Sequence, residues 1–349
     1  MSDWQFPLVG KALNTPVKPK KNRTGNIKNA KAKIRRVTGG ATEAMVKVKP
    51  GVQGAKHMKM HLDYISRNAK IELENERGEV LNSRENIKEL HKEWASDLGK
   101  PRANERDTKH IILSMPDGTD PAAVRAAARN FAKEHFAENH QYVMALHHPG
   151  NDKDTNNPHV HLTVKSLGYD GRRLDPKKDD LQDWRESFAE QMRKQGYDVE
   201  ATPRRARGVI KKPQSQAIYA LEHKEGRPGS RVQAAKLKEA AAELGGKAMP
   251  PNPARAQIVK TQNEVRKGWL TGADELSRST DPADQQLAKQ IRAFVASMPR
   301  KLQDEREELK DALLRRVEAS RHKQQVLDQM QKKTGHVAPS KDKDEDRER

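Results

Sequence analysis

The segment from His147 to Val164 closes in His159-Val160-His161, an imidazole at every second position of an apolar run. In a strand, alternate side chains share a face. His159 and His161 therefore point one way, and Val160 and Leu162 point the other way into a core. His147 and His148 precede them across a loop rich in Asp and Asn. Two imidazoles fixed on one strand, with a third folded over them, can hold a divalent metal. Imidazole accepts Mg²⁺, Mn²⁺ or Zn²⁺, so the ligands alone do not choose the ion. Strand alternation beginning at Tyr142 leaves one of His147 and His148 at the strand end. The expected ligand set is His148, His159 and His161, with His147 the open alternative. Asp152 and Asp154 are candidate carboxylates that would orient an imidazole or ligate directly.

A second group lies upstream, in His57-Met58-Lys59-Met60-His61-Leu62-Asp63-Tyr64-Ile65-Ser66-Arg67. His57, His61 and Tyr64 are spaced i, i+4 and i+7 and share a helix face, with Leu62 and Ile65 in the buried stripe. A tyrosine beside histidines and an arginine can serve as a nucleophile. The alternative is a helix tyrosine with its ring in the core and its hydroxyl in water. His57 and His61 also match the spacing of a helical metal site, which competes with the strand site.

Composition narrows the substrate. The chain has 349 residues, a formal net charge of +19, 34% charged residues and only 4% aromatics. Such an excess of cations points to a polyanion, nucleic acid first. There is no cysteine, which excludes disulfides, zinc–thiolate sites and cysteine nucleophiles and fits a reducing compartment. No apolar run reaches membrane-spanning length and the first residues lack a secretory segment. The expectation is a cytoplasmic protein without membrane insertion.

Those side chains need a scaffold. Residues 1–42 carry ten Lys/Arg up to position 40, against Asp3 alone. They read as a flexible basic arm, with Lys18–Arg36 draped over phosphates. Order is expected from Glu43. Residues 44–49 alternate like a strand and 55–67 have helical spacing. Residues 70–81 read as a hairpin turning at Glu76-Arg77-Gly78. Ser83 caps a helix over 84–98, and 110–115 is a short apolar strand. Thr119-Asp120-Pro121 opens an alanine-rich helix. Strands at 141–147 and 159–166 flank the polar loop, and 180–196 is a further helix. Irregular alternation with hairpins implies an α+β domain on a mainly antiparallel sheet, ending near residue 213. Pro203–Pro213, with Arg204, Arg205, Arg207, Lys211 and Lys212 and no acid, reads as a DNA-contacting strap. Residues 214–340 are helix-rich and 341–349 form a disordered mixed-charge tail.

The combination resembles the P-type (MOBP) relaxases of conjugative and mobilisable plasmids, T-DNA border endonucleases among them. His61-Leu62-Asp63-Tyr64-Ile65-Ser66-Arg67 followed by Lys70-Ile71-Glu72-Leu73 is similar to their first motif. Thr108–Pro116 with Gly118-Thr119-Asp120 is similar to the next strand and helix start. Asn157-Pro158-His159-Val160-His161 is similar to the third motif, and Arg207-Gly208-Val209 resembles the domain's end.

The resemblance implies a His–hydrophobic–His nuclease fold, with a central five-stranded antiparallel sheet followed by a helical C-terminal region. It implies a site- and strand-specific DNA nickase acting at an origin of transfer by tyrosine transesterification. Mg²⁺ or Mn²⁺ would sit on His148, His159 and His161. Tyr64 would attack phosphorus and stay linked to the 5′ end, with His61 or His110 taking its proton and Arg67 on the DNA. The implied partners are single-stranded and supercoiled plasmid DNA, accessory relaxosome proteins and a type IV secretion coupling protein, with export into the recipient cell. A rolling-circle replication initiator of the same class and a non-enzymatic basic DNA-binding protein are the rival readings.

Overall fold

The computed structural model describes residues 23–98, 105–153, 155–209, 231–248, 255–298 and 305–334. Its elements are α1 (Arg23–Thr38), β1 (Thr42–Glu43), β2 (Met45–Lys49), α2 (Ala55–Ile65), β3 (Leu73–Asn75), β4 (Val80–Leu81), α3 (Arg84–Ser96), β5 (Thr108–Ser114), α4 (Pro121–His135), β6 (Tyr142–His147), β7 (His159–Lys165), α5 (Lys178–Lys194), β8 (Val199–Glu200), a 3₁₀ turn (Arg204–Arg207), α6 (Arg231–Leu244), α7 (Arg255–Ser277), α8 (Pro282–Ser297) and α9 (Glu305–Thr334).

Among the described residues the main sheet has six strands in the order β2-β5-β7-β6-β3-β4, every neighbouring pair antiparallel. The expected five become six because the hairpin through Gly78, whose φ of 80° favours glycine, adds the short β4 at the edge. β1 and β8 form a separate parallel pair. The histidine strand β7 lies in the middle, with β5 and β6 on its flanks.

Pairing partners share a face, so the sheet has two distinct sides. Val160, Leu162 and Val164 of β7, Ile111 and Leu113 of β5, and Met144 of β6 pack against Val124 and Phe131 of α4 and Phe188 and Met192 of α5. The other side carries the histidines. There Val143, Ala145 and Leu73 lie under Met58, Leu62 and Ile65 of α2 and Ile87, Leu90 and Trp94 of α3. Helix starts follow the sequence. Ser83 Oγ accepts from Asn86 N at 3.1 Å at the start of α3. Asp120 accepts from Ala122 N with Pro121 in the first turn of α4.

The expected flexible arm is corrected from Arg23 onward, where the chain is helical. Ile34 and Val37 are buried. Lys31 pairs with Asp284 at 2.7 Å, Lys33 with Glu186 at 2.9 Å and Arg36 with Glu200 at 2.9 Å. Cations read as phosphate-seeking are partnered by carboxylates remote in sequence. Residues 18–22 of that stretch, and the 341–349 tail, lie outside the described residues.

The chain divides into two compact units, Met1–Arg207 with Gly268–Ala296, and Gly208–Lys267 with Ser297–Arg349. In the second unit α6 lies along α9, with Arg306 to Glu239 at 3.7 Å and Lys310 to Glu243 at 3.4 Å. Among the described residues no helix is long and apolar enough to cross a membrane.

Candidate active site

The register of β6 against β7 decides which imidazoles meet. His147 pairs with His159, and Ala145 with His161. His147, His159 and His161 each offer a nitrogen, and those atoms all lie within 4.8 Å of one another. The expected third ligand, His148, is replaced by its neighbour. Tyr142, Met144 and Leu146 face α4 and α5, so Val143, Ala145 and His147 face the site, and His148 turns away to take a hydrogen bond from Gly150 N at Nδ1.

The donor set suits a divalent cation. His159 Nδ1 donates to the Asn157 carbonyl at 2.9 Å, leaving its Nε2 lone pair toward His161 Nε2, 3.2 Å away. His161 Nδ1 shares a 2.8 Å hydrogen bond with His110 Nε2. His147 is fully buried between two acceptors, Asp152 Oδ2 and the Ile65 carbonyl, each at 2.7 Å. Ligation through Nε2 would exchange the Ile65 contact for the ion and keep Asp152 on Nδ1, the usual way a carboxylate orients a ligating imidazole. Burial pushes the His161 imidazole down to about 2, and His147 and His110 beside it add to the effect. Burial likewise lowers His159. At neutral pH these two rings are uncharged, the form that binds metal. Asp154 lies outside the described residues. His57 and His61 do not form the rival helical site, because His57 is exposed on the Gln53 carbonyl while His61 bonds elsewhere.

Helix α2 brings the tyrosine. Leu62 and Ile65 anchor it on the sheet, and the opposite flank presents Tyr64, half-exposed at 48%. The Tyr64 ring lies 5.8 Å from that of His161 and 6.4 Å from that of His61, centroid to centroid. His61 Nε2 is 2.9 Å from Thr163 Oγ1, and its ring meets His110 edge-on at 4.6 Å. Thr163 was not singled out from the sequence, though the alternation that pairs His159 with His161 extends to it. Burial and then nearby Lys49 bring the His61 imidazole down to about 4. Burial first, then His61, Lys49 and His159, bring His110 to about 3. His110 therefore reaches the cluster through His161, and of the two proposed proton acceptors His61 is the one beside Tyr64.

After α2 the backbone enters the left-handed region for three successive non-glycine residues: Arg67 at φ 51°, Asn68 at 58° and Ala69 at 66°. Such residues cost on the order of 1–2 kcal/mol each. The turn is pinned by Asn68 N to Asp63 O, Ile71 N to Ser66 O and Ala69 N to Ser66 Oγ. It places the Arg67 guanidinium 5.2 Å from the Tyr64 ring centre and 2.7 Å from Asp152 Oδ2. Asp152 thus ties the turn after α2 to the imidazole cluster. Ala69→Gly should relieve the strain there, partly offset by the loss of a partly buried methyl and by the greater chain entropy that glycine adds to the unfolded state. A net gain of about 0.5 kcal/mol is expected; a denaturant midpoint lower than that of the unaltered chain would refute it.

Of the strap, Arg204 and Arg205 are exposed, and Arg207 is half-buried and paired with Glu43 at 3.3 Å. Trp269 Nε1 donates to the Ala206 carbonyl at 2.8 Å and holds the turn. Lys211 and Lys212 lie outside the described residues.

Residues 64–197 match the family model described as relaxase, MobA/VirD2-like, nuclease domain. The chain is also similar to curated proteins. It is 28% identical over 223 residues to the T-DNA border endonuclease VirD2 of Rhizobium radiobacter, covering 58% of this chain and 47% of that protein. It is 27% identical over 205 residues to the protein of that name from Rhizobium rhizogenes, covering 53% and 44%. The chain spans about half the length of the curated relatives it matches.

Proposed function

We propose, from the match of residues 64–197 to the nuclease-domain model of the MobA/VirD2-like relaxases, that the chain nicks one DNA strand at an origin of transfer and remains attached to its 5′ end through Tyr64. The observation that supports this most directly is Tyr64, standing half-exposed on the rim of the His147–His159–His161 cluster, its ring 5.8 Å from that of His161.

In the proposed reaction the Tyr64 oxygen attacks the scissile phosphorus. The P–O3′ bond breaks, the 3′ oxygen leaves and takes a proton, and a 5′-phosphotyrosine remains. A phenol suits this role because its pKa of about 10 lies far below that of an aliphatic alcohol. The bond order at phosphorus is conserved, so the reverse attack by a 3′-hydroxyl rejoins the strand without a nucleotide cofactor. Arg67 supplies positive charge beside the phenolate and the incoming phosphate. The phenol proton is assigned to His61, uncharged at neutral pH and with its ring 6.4 Å from that of Tyr64. His110 and Asp152 hold the rings of His161 and His147 in place. Mg²⁺ or Mn²⁺ on His147, His159 and His161 would polarise the non-bridging phosphate oxygens.

The cytoplasm of a donor cell, export with the DNA, and partners among relaxosome accessory and coupling proteins belong to the same proposal, with α6 and α9 as the segment offered to those partners. For the strap, Arg204→Gln with Arg205→Gln should flatten the salt dependence of oligonucleotide binding. With slopes near −0.7 per phosphate contact on single strands, the change is about 1.4 for two contacts. An unchanged slope would remove the strap from the interface. The reading as a whole is tested by incubating the chain with labelled single strands tiling the encoding plasmid plus Mg²⁺ or Mn²⁺, and searching for an adduct by mass spectrometry. An adduct on one strand at one position is expected, and none on any strand would sink the proposal.

A further inference from the structure

The site face of the sheet is covered unevenly. Beneath α2 and α3 lie Leu73, Val143 and Ala145, from β3 and β6, and no residue of β5 or β2 belongs to that core. The strip over β5 and β2 is lined instead by the ladder partners of the histidines. Lys49 pairs with His110 and so with Thr163; Lys47 pairs with Ile112 and so with His161; Met45 pairs with Ser114 and so with His159. Strands lie about 4.8 Å apart, so Lys47 sits about 10 Å from the backbone of His161 on the same face. Val46 and Val48 face the opposite core, which leaves Met45, Lys47 and Lys49 together on the histidine side.

Met45 is 50% exposed, Lys47 is exposed and Lys49 half-buried. Neither lysine has a carboxylate partner among the described residues. Burial and the neighbouring charge of Lys47 lower the Lys49 ammonium below its ordinary value, as expected where positive charge is not neutralised. At the other edge of the sheet Glu72 and Glu74 are already paired with Arg125 and Arg129, and Glu74, the ladder partner of Met144, faces the opposite side. An anionic strand leaving the histidine cluster is drawn toward the unneutralised lysines of β2.

We propose that single-stranded DNA adjoining the scissile phosphate crosses β5 and runs along β2, with Lys47 and Lys49 each on a backbone phosphate and Met45 beneath a base. Residues two apart on a strand are about 6.8 Å apart, a spacing an extended single strand can meet with neighbouring phosphates. The track then leads to Glu43, where Arg207 is paired, and to the exposed Arg204 and Arg205. The inference rests on the nicking reading above.

Edge lysines also discourage sheet-to-sheet aggregation, so the experiment must read DNA. Binding of a fluorescent single strand is followed between 50 and 200 mM salt for the full chain and for Lys47→Gln with Lys49→Gln. The slope should flatten by about 1.4, and Lys47→Arg with Lys49→Arg should restore it. Because the chain has no cysteine, Lys47→Cys introduces a single thiol for disulfide capture of strands bearing a thiol tether at one phosphate each. Capture should peak within the first few phosphates on one side of the nick. An unchanged slope, or capture that is flat or remote, while the unaltered chain still forms its adduct, overturns this inference alone. Failure of the unaltered chain to bind single strands overturns the nicking reading as well.

Discussion

Tyr64→Phe is expected to abolish the covalent protein–DNA adduct while leaving oligonucleotide affinity within about twofold. Removal of a nucleophile that acts in concert with a fixed site costs orders of magnitude, here at least about a thousandfold in adduct yield. The substitution removes one hydroxyl from a ring that is 48% exposed, so thermal unfolding should stay close to that of the unaltered chain. The ring contacts with His61 and His161 are retained by phenylalanine. An adduct of undiminished yield would move the nucleophile to another of the five tyrosines. A variant that no longer binds DNA would make Tyr64 part of the binding surface instead.

The second large effect concerns Asp152. One buried oxygen receives both the Arg67 guanidinium and His147 Nδ1, each at 2.7 Å. Asp152→Ala leaves a fully buried imidazole and a partly buried guanidinium without that acceptor. Breaking a buried charged pair costs about 3–5 kcal/mol. Arg67 keeps 29% of its side chain in solvent, which moves the expectation to the lower end, about 3 kcal/mol. Loss of a carboxylate that orients a ligating ring also weakens metal binding by about 10–100-fold. Denaturant titration and Mn²⁺ titration calorimetry read the two effects separately. Unchanged Mn²⁺ affinity together with lost stability would make Asp152 a structural clamp and nothing more.

Both predictions depend on a placement only partly legible in the sequence. The face shared by His159 and His161 followed from period two, and the starts of α3 and α4 from Ser83 and Asp120-Pro121. Tyr64 was placed on a helix face with His61, and that face is the one turned to the cluster. The choice between His147 and His148 was not legible. β6 is apolar on both faces, with Tyr142, Met144 and Leu146 on one and Val143 and Ala145 on the other, so it carries no amphipathic signal of its parity. Only pairing with β7 sets it. The helix at Arg23–Thr38 is hidden in the sequence for a related reason. Its charges read as a solvated arm because the carboxylates that receive them lie up to 253 residues away. The sequence marks Arg67 as a cation beside Tyr64. Its link to Asp152 required the left-handed turn, which three non-glycine residues do not advertise.

The position of β7 has a consequence for synthesis. In chain order it is the last of the six strands, yet it fills the gap between β5 and β6. Until it emerges, the nascent sheet is two separate pieces, β2–β5 and β6–β3–β4, with no common plane. Tyr64 has by then been translated for roughly 5–20 seconds at usual elongation rates. It waits on a helix whose contacts with His161 and Thr163 do not yet exist. The strand that closes the sheet is the strand that carries two of the three clustered imidazoles, so a chain interrupted before His159 has neither a complete scaffold nor a reactive centre. If the chain nicks DNA as proposed, ribosome-bound or truncated products would lack the centre that does so.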